Sequence, residues 1–265
     1  MNKKIGEGRT AEIFALDDNR IAKVFRSHIP DDFIDHELNI SEKVQALGLN
    51  VPKVYGKEEM NGQSAIIYEK VEGETLLATL VKKPWKIRGI ARNMARLHYE
   101  MHSKSGEGLP LYREVLLRNI QQAEELSDSE KTKIIKYLEG LSDGGNLCHG
   151  DFHPDNVLCS SNETFVIDWT TAVSGDPLAD VARTAVILQY AVLPDEVPSP
   201  IRLLFRVIRS LLYKNYLSTY IELSRCSLEE INKWKLPIMG ARLVENLPQK
   251  EIELLQLKIR ERLAD

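Results

Sequence analysis

The chain has 265 residues, of which 43% are hydrophobic and 28% are charged, a composition typical of a globular protein with a sizeable core. Its 35 basic and 39 acidic residues give a formal net charge of −4, which argues against a protein that coats nucleic acid. The three cysteines lack C-x-x-C spacing, which argues against disulfides and zinc and favours a reducing compartment. Because no secretory signal and no long apolar stretch is found, we expect a soluble cytoplasmic protein.

The first third of the chain predicts a small sheet with one helix. Four strands are predicted, at residues 9–16, 20–25, 51–55 and 64–68, the first two forming a hairpin. A helix is expected after Pro30 and before Gly48, which is typical of a helix end. Its predicted buried stripe consists of Phe33, Leu38, Ile40, Val44 and Leu47.

After residue 73 the pattern is mainly helical. Helices are predicted at residues 87–101, 115–126, 129–141, 177–191 and 201–223, followed by shorter ones. One hairpin interrupts them, with strands at 156–159 and 164–167, and a proline-rich loop is predicted at 193–200. The sequence therefore predicts a small N-terminal lobe, residues 1–69, and a larger helical lobe, residues 70–265.

Two clusters in the helical part have structural interpretations. One is a basic stripe along a helix, which predicts a solvated face and not a nucleic-acid surface. The stripe consists of Arg202, Arg206, Arg209 and Lys214, and the other face of the helix carries Leu203, Leu204, Val207, Leu211 and Leu212. His98 and His102 are four residues apart on one helix face, but no third residue has metal-ligand spacing. We expect both histidines to serve helix packing.

The most informative segment reads CHGDFHPDNVL at 148–158, followed by VIDW at 166–169. Asp151, Asn156 and Asp168 carry oxygens suited to binding Mg²⁺ or to accepting a hydroxyl proton. A glycine and a proline place the first part in a loop, and the predicted hairpin returns Asp168 toward Asn156. Asn156 follows Asp151 by five residues and Asp168 follows Asn156 by twelve, so the loop and the hairpin bring these three side chains close together. Kinases use the same set of residues, with an Asp at the acceptor hydroxyl and an Asn and a later Asp at the metal.

The pattern His-Gly-Asp-x-His-x-x-Asn followed by Ile-Asp-Trp resembles the aminoglycoside phosphotransferase and choline kinase family, the small-molecule kinases with a protein-kinase-like fold. The resemblance implies an α+β, bilobal fold with a small β-rich N-terminal lobe and a larger, mainly helical C-terminal lobe. It also implies Mg²⁺-dependent transfer of the γ-phosphoryl group of ATP or GTP to a hydroxyl of an aminoglycoside, another amino alcohol or a sugar. No nucleic-acid or membrane partner is expected, and the protein is expected to be a monomer or a weak dimer.

The resemblance also assigns roles to individual residues. Asp151 would be catalytic, at the acceptor hydroxyl, and Asn156 and Asp168 would bind the metal. The expected nucleotide-binding residues are Gly6 and Gly8 of a truncated glycine-rich loop, Lys23 with Glu37, and the hinge residues Glu69 and Val71. Glu42 remains an alternative to Glu37 as the partner of Lys23. Asp180 is expected to brace the catalytic loop through backbone hydrogen bonds, and Asp176 to cap a helix or face the substrate.

Two other functions remain open from the sequence. A non-catalytic nucleotide-binding pseudokinase need not retain Asp151, Asn156, Asp168 and Lys23 together. A protein kinase would carry an Ala-Pro-Glu element and an activation segment, and neither follows Asp168. The purine is also open, because Tyr68 would disfavour ATP relative to GTP if it pointed into the base site. We favour a Tyr68 that packs within the small lobe, and ATP as the donor.

Overall fold

The computed structural model describes residues 3–160, 163–192 and 199–264. Within these ranges the strands are β1 (Lys3–Glu7), β2 (Ala11–Ala15), β3 (Arg20–Phe25), β4 (Val54–Met60), β5 (Gln63–Glu69), β6 (Glu74–Thr75), β7 (Asn146–Cys148), β8 (Val157–Ser160), β9 (Glu163–Val166) and β10 (Val173–Gly175). The helices are α1 (Asp31–Ala46), α2 (Leu76–Lys82), α3 (Ile87–Met101), α4 (Tyr112–Gln122), α5 (Asp128–Glu139), α6 (Pro177–Tyr190), α7 (Ser199–Ser224), α8 (Leu228–Arg242) and α9 (Gln249–Ala264). None of the described helices is long and apolar enough to span a membrane.

The chain divides into two compact units. The first comprises residues 1–79 and 154–171, and the second comprises residues 80–153 and 172–265. The hairpin of β8 and β9 thus joins the first unit, where β6 pairs with β8. The lobe boundary between residues 69 and 70 stays a prediction.

The first unit is built on an antiparallel sheet with the strand order β1-β2-β3-β5-β4. Alternate side chains of β3 and β5 face opposite sides. One side packs against α1 through Phe25, Ile34 and Ile66, and the other buries Ala22 and Ile67. Pro30 precedes α1, and Gly48 follows it with a φ of 71°, as the sequence predicts.

The buried row of α1 differs from the predicted stripe. Ile34, Glu37, Ile40 and Val44 are buried, while Phe33 and Leu38 pack at the edge of the core. Glu37 thus places a carboxylate in the buried row. Its burial is possible because it pairs with Lys23 on β3, as described below.

The second unit is mainly helical and contains one short antiparallel pair of described strands, β7 and β10. The helix predicted at residues 87–101 is confirmed as α3 with the same bounds. The next helix, α4, begins three residues earlier than predicted, at Tyr112. Residues 193–198 of the predicted proline-rich loop lie outside the described residues, and Ser199 and Pro200 begin α7.

The basic stripe of α7 includes the exposed side chains of Arg206 and Lys214, as expected. Most of the apolar face named with it is exposed too: Leu203, Leu204, Val207 and Leu211 are 60%, 57%, 49% and 44% exposed. Instead, the face that carries Leu212, Tyr216 and Tyr220 is buried, and its tyrosines meet the histidines of α3. The aromatic side chains and their hydroxyl partners decide which face turns inward.

Candidate active site

The loop that carries Asp151 is held by a buried carboxylate. The loop follows β7, and its Gly150 has a φ of 76°, a conformation that favours glycine. Asp180, in the first turn of α6, accepts hydrogen bonds from the backbone N–H groups of His149 (2.6 Å) and Gly150 (3.0 Å). The expected role of Asp180 as a brace is therefore confirmed. Thr184, one turn further along α6, donates to the carbonyl of Phe152 (2.8 Å).

The same carboxylate organises two buried histidines of α3. The Nε2 atoms of His98 and His102 lie 2.9 and 3.3 Å from Asp180 Oδ2. Because a carboxylate only accepts hydrogen bonds, both Nε2 atoms carry a proton. Both Nδ1 atoms are hydrogen-bonded to tyrosine hydroxyls. These hydroxyls belong to Tyr216 (2.6 Å) and Tyr220 (2.7 Å).

The spacing argument against a third metal ligand beside the histidine pair is wrong. His98, His102 and Asp180 place their ligand atoms within 4.8 Å of one another. However, every ring nitrogen of the two histidines already has a hydrogen-bond partner within the cluster. We therefore interpret the cluster as a hydrogen-bonded brace, which matches the expected packing role.

Burial sets the charge state of this cluster. Burial and the neighbouring His102 lower the pKa of His98 to about 3, against an opposing effect of Asp180. Burial alone would raise the pKa of the Asp180 carboxyl, but the histidines that donate to it hold that pKa well below its usual range. His98 is therefore neutral and Asp180 ionised near neutral pH.

Asp151 lies next to two basic side chains of the second unit. Its Oδ1 is 3.4 Å from Arg183 Nη2, and its Oδ2 is 3.4 Å from His153 Nε2. Its backbone N–H donates to His149 Nδ1 (3.2 Å), so this histidine orients the loop. Arg183 in turn pairs with Glu245 at 2.7 Å, which fixes its guanidinium.

These neighbours keep Asp151 ionised. Burial by itself would raise the pKa of the Asp151 carboxyl, but the hydrogen bond from His153 and the charge of Arg183 hold the pKa below its usual range. A carboxylate of this kind is a weak base. It can accept a hydrogen bond from a hydroxyl and orient it, which is the task that the sequence assigns to Asp151.

In the first unit, Lys23 and Glu37 form a close ion pair. Lys23 Nζ lies 2.6 Å from Glu37 Oε1, and the two side chains are 17% and 3% exposed. Lys23 sits on the face of β3 that α1 covers, opposite that of Ala22, so its ammonium points toward the helix. Glu42 is exposed, so the structure pairs Lys23 with Glu37.

The pair extends toward Asp168. Lys23 Nζ lies 3.5 Å from Asp168 Oδ1, and Thr170 Oγ1 is within hydrogen-bond distance of Glu37 Oε2 (2.9 Å) and Asp168 Oδ1 (3.2 Å). Burial would lower the pKa of Lys23, but the charges of Asp168 and Glu37 raise it. The ammonium therefore stays charged between two carboxylates, as an anchor for anionic oxygens requires.

The hairpin of β8 and β9 brings Asp168 back toward Asn156. The N–H of Ile167 donates to the carbonyl of Asn156 (3.0 Å), so Asp168 follows the residue paired with Asn156. Asp168 has a φ of 61°, a left-handed conformation that aspartate tolerates better than most residues. The amide of Asn156 is buried, whereas the carboxylate of Asp168 is half exposed. One carboxylate and one carboxamide oxygen suit a hard divalent cation such as Mg²⁺.

The glycine-rich segment forms the turn between β1 and β2. Gly6 lies in β1 opposite Ile13, and the N–H of Gly8 donates to the carbonyl of Ala11 (2.8 Å). A Cβ atom at either glycine would come no closer than 3.5 Å to a neighbouring atom. The fold itself therefore tolerates a side chain at both positions, and their role in nucleotide binding stays a prediction.

The hinge residues follow β5. Glu69 ends this strand and exchanges hydrogen bonds with Lys53, through its backbone N–H (2.7 Å) and its Oε2 (3.1 Å). The next N–H, of Lys70, donates to Asn19 (2.8 Å), and Val71 lies beyond the strand. The carbonyl of Glu69 and the N–H of Val71 remain the predicted contacts to the purine.

Tyr68 points into the packing of the first unit. Its ring packs against the core beneath α1, and its hydroxyl lies 3.0 Å from Ser41 Oγ and 3.2 Å from Glu37 Oε1. Burial, and next the charge of Glu37, raise the pKa of Tyr68 far above its usual range, so the hydroxyl keeps its proton. This is the orientation that the sequence analysis favours.

Several residues of the site were not assigned a role from the sequence. Thr170 links Glu37 to Asp168, and Glu245 fixes Arg183. The sequence assigns no role to Arg183. Glu245 lies 62 residues further along the chain, and no local pattern identifies such a partner. For Asp176 the sequence allows two roles, and in the structure its side chain caps α6 by accepting a hydrogen bond from the N–H of Leu178 (2.8 Å).

The neutral, buried His98 predicts a specific dependence of stability on pH. Because its pKa is lower in the folded state than the ordinary value of 6.5, the stabilisation is present above pH 6.5 and is lost as the pH falls toward 3. We expect the His98 contribution to the free energy of unfolding to fall by about 2 kcal/mol between pH 7 and pH 5. Urea denaturation at both pH values measures this loss, which His98→Gln should remove.

The control is His36→Gln, because His36 is exposed on α1. This variant should keep the pH dependence of the wild type. An equal loss of stability between pH 7 and pH 5 in wild type and in His98→Gln would contradict the assignment of a neutral His98.

Comparison with known proteins identifies the family. The family model described as "Phosphotransferase enzyme family" matches residues 2–205. Comparison with curated proteins gives no sequence match.

Solved structures show the fold. A thermostable mutant of aminoglycoside phosphotransferase APH(4)-Ia is 15% identical with a TM-score of 0.66, over 98% of this chain and 93% of the other. An aminoglycoside-3'-phosphotransferase of type VIII is 18% identical with a TM-score of 0.61, over 90% and 91%. A choline/ethanolamine kinase family protein from Mesorhizobium loti is 12% identical with a TM-score of 0.57, over 100% and 87%. The predicted protein-kinase-like α+β fold is confirmed, and the chain belongs to the phosphotransferase enzyme family that the HGD loop and the IDW segment indicate.

Proposed function

We propose that this protein transfers the γ-phosphoryl group of ATP to a hydroxyl of a small molecule. The observation that carries the proposal is the state of Asp151, an ionised carboxylate on a loop that a buried aspartate braces. The first unit supports it independently, because Lys23, Glu37 and Asp168 form a connected set of charges there. A polar loop without a catalytic role would need neither arrangement.

Asp151 would act mainly by orientation. Its low pKa makes it a poor base in the ground state, so it would accept a hydrogen bond from the acceptor hydroxyl and aim the oxygen at the phosphorus. Arg183 and His153 hold its two oxygens in place. Most of the rate enhancement would then come from positioning and from neutralising charge, as in other phosphoryl transfers.

The residues of the first unit would bind the donor. Asn156 and Asp168 offer the oxygens that would hold Mg²⁺, which when bound supplies positive charge to the phosphate oxygens. Lys23, kept charged by Glu37 and Asp168, would bind a phosphate oxygen directly. The backbone of Glu69 and Val71 would meet the purine, and Gly6 and Gly8 would border the phosphates.

ATP is the proposed donor, because Tyr68 packs beneath α1 rather than standing free beside the hinge. GTP remains the alternative. For the acceptor we propose an amino alcohol or a sugar, with aminoglycosides as the first class to test. Two similar structures are complexes of aminoglycoside phosphotransferases, one with kanamycin and one with streptomycin. We expect the protein to act in the cytoplasm as a monomer or weak dimer.

Substitution of Asp151 tests the proposed function. Asp151→Asn should lower the rate of phosphoryl transfer by at least about two orders of magnitude, because the acceptor hydroxyl loses its charged partner. Nucleotide affinity should change little. The measurement is transfer from radiolabelled ATP to a panel of aminoglycosides, amino alcohols and sugars, together with a nucleotide titration.

Asp155→Asn is the matched control, since Asp155 is exposed in the same segment and accepts a hydrogen bond from Thr75. It should keep the wild-type rate within a few-fold. An Asp151→Asn enzyme as fast as the wild type would exclude the assigned role, and no transfer to any acceptor by the wild type would count against the function itself.

Removal of the proposed metal ligands should weaken nucleotide binding only when Mg²⁺ is present. Asp168→Ala should have the larger effect, because it removes a full negative charge, and Asn156→Ala the smaller one. Nucleotide titrations with and without Mg²⁺ give the comparison. If both variants keep the wild-type dependence on Mg²⁺, these residues do not bind the metal.

A further inference from the structure

One segment of the second unit carries positive charge only. Residues 80–99 contain six lysines and arginines and no aspartate or glutamate, although the formal net charge of the chain is −4. The segment covers the end of α2, a short 3-10 helix (Pro84–Lys86) and most of α3. Because a surface of one charge sign attracts partners of the opposite sign, this segment is a candidate docking surface for an anionic partner.

Five of the six cations are exposed, and they make no ion pair or side-chain hydrogen bond with any residue that the structure describes. They are Lys83, Lys86, Arg88, Arg92 and Arg96. In the first unit, by contrast, Lys57 contacts both Asp31 and Asp35, at 3.0 and 2.7 Å. The charges of the five cations are thus not compensated by described neighbours, and an external anion can approach them.

The packing of α3 keeps three of these cations on one side of the helix. Arg88, Arg92 and Arg96 follow one another at intervals of four residues, which places them in a row about 12 Å long. The other side of α3 is buried and carries His98, whose hydrogen bond to Asp180 fixes the rotation of the helix about its axis. The row therefore lies at the surface, away from the buried brace described above.

Two apolar side chains protrude in the same segment. Trp85 and Val81 are 74% and 65% exposed, the largest values among the large hydrophobic side chains that the structure describes. The other two tryptophans, Trp169 and Trp234, are buried. Lys83 lies between Val81 and Trp85 in the chain, so charge and apolar surface alternate there. A partner with an apolar layer would remove both exposed side chains from water, which is favourable.

The mixture of cations and apolar side chains discriminates between anionic partners. A nucleic acid can stack a base on Trp85, but it offers no apolar layer for Val81, and an acidic peptide supplies charge without such a layer. An anionic bilayer offers both, because its phosphates attract lysine and arginine and tryptophan is enriched at its interface. A surface contact needs no spanning helix, and none is found among the described helices. The observations therefore favour a bilayer surface.

We propose that residues 81–96 bind the surface of a bilayer that contains anionic phospholipid, with Val81 and Trp85 at the boundary of headgroups and acyl chains and the five cations at the phosphates. The proposal goes beyond phosphoryl transfer and does not depend on it. It replaces the sequence-based expectation of no membrane partner, because the exposure of Trp85 and Val81 is visible only in the folded chain.

Binding of the full chain to vesicles, without nucleotide, tests the proposal. The vesicles consist of phosphatidylcholine alone or with about 30% phosphatidylglycerol, and co-sedimentation gives the Kd. We expect at least about tenfold tighter binding to the anionic vesicles, and weaker binding as NaCl is added, because salt screens the attraction. Trp85 supplies a second readout, since it is the only exposed one of the three tryptophans. Its emission should shift to shorter wavelength on binding and be quenched by brominated lipid.

Variants connect the binding to this surface. Arg92→Gln and Arg96→Gln change exposed side chains without described partners and should leave the fold intact. Each should raise the Kd for anionic vesicles about fivefold, and the double variant should raise it at least about tenfold. Trp85→Ala should raise the Kd at least about fivefold and abolish the fluorescence shift. The matched control is Arg118→Gln, an exposed arginine on α4, which should leave the Kd unchanged.

The proposal is overturned if anionic and neutral vesicles bind equally well, or if neither binds. It is also overturned if the folded double variant keeps the wild-type Kd, or if the vesicle-bound protein has the emission spectrum of the free protein. A single-stranded RNA oligonucleotide and polyglutamate are titrated in parallel. Binding to either of them without binding to anionic vesicles would make the surface a contact for nucleic acid or for an acidic protein instead.

Discussion

The second unit depends on one interaction, the burial of the ionised Asp180 carboxylate. A charge in a protein interior is costly unless several donors surround it. Here the donors are the N–H groups of His149 and Gly150 and the imidazoles of His98 and His102. Because these donors come from the loop that carries Asp151 and from α3, satisfying one carboxylate fixes both relative to α6. The tyrosines of α7 complete the network through hydrogen bonds to the histidines.

The first unit also buries a carboxylate whose charge is compensated by a partner, in this case Glu37 and Lys23. Glu37 lies in the buried row of α1, where an apolar residue would have a smaller desolvation cost. Lys23 on β3 compensates the charge of Glu37. The arrangement fits the proposed function, in which a lysine held charged between Glu37 and Asp168 would bind an anionic oxygen. Asp151 differs in that its oxygens meet Arg183 and His153, which leaves an ionised carboxylate suited to orienting a hydroxyl.

The sequence predicted local features well and distant partnerships poorly. The bounds of α3 and the hairpin of β8 and β9 follow from periodicity and turns, and the brace at Asp180 follows from the family resemblance. The inward face of α7 does not, because apolar periodicity favours leucines while the buried side is chosen by tyrosine hydroxyls that reach histidines on α3. The contact of Arg183 with Glu245 likewise cannot be predicted from the local sequence, because tertiary packing alone brings these residues together.

The loop that carries Asp151 is held in place by the Asp180 carboxylate. Amide hydrogen exchange of His149 and Gly150, measured by NMR in wild type and in Asp180→Asn, tests this role of Asp180 most directly. The substitution keeps the shape of the side chain but replaces one acceptor oxygen with a donor, so one backbone N–H loses its partner. We expect exchange of at least one of the two amides to accelerate by about tenfold or more. Unchanged protection of both amides in the folded variant would contradict the claim.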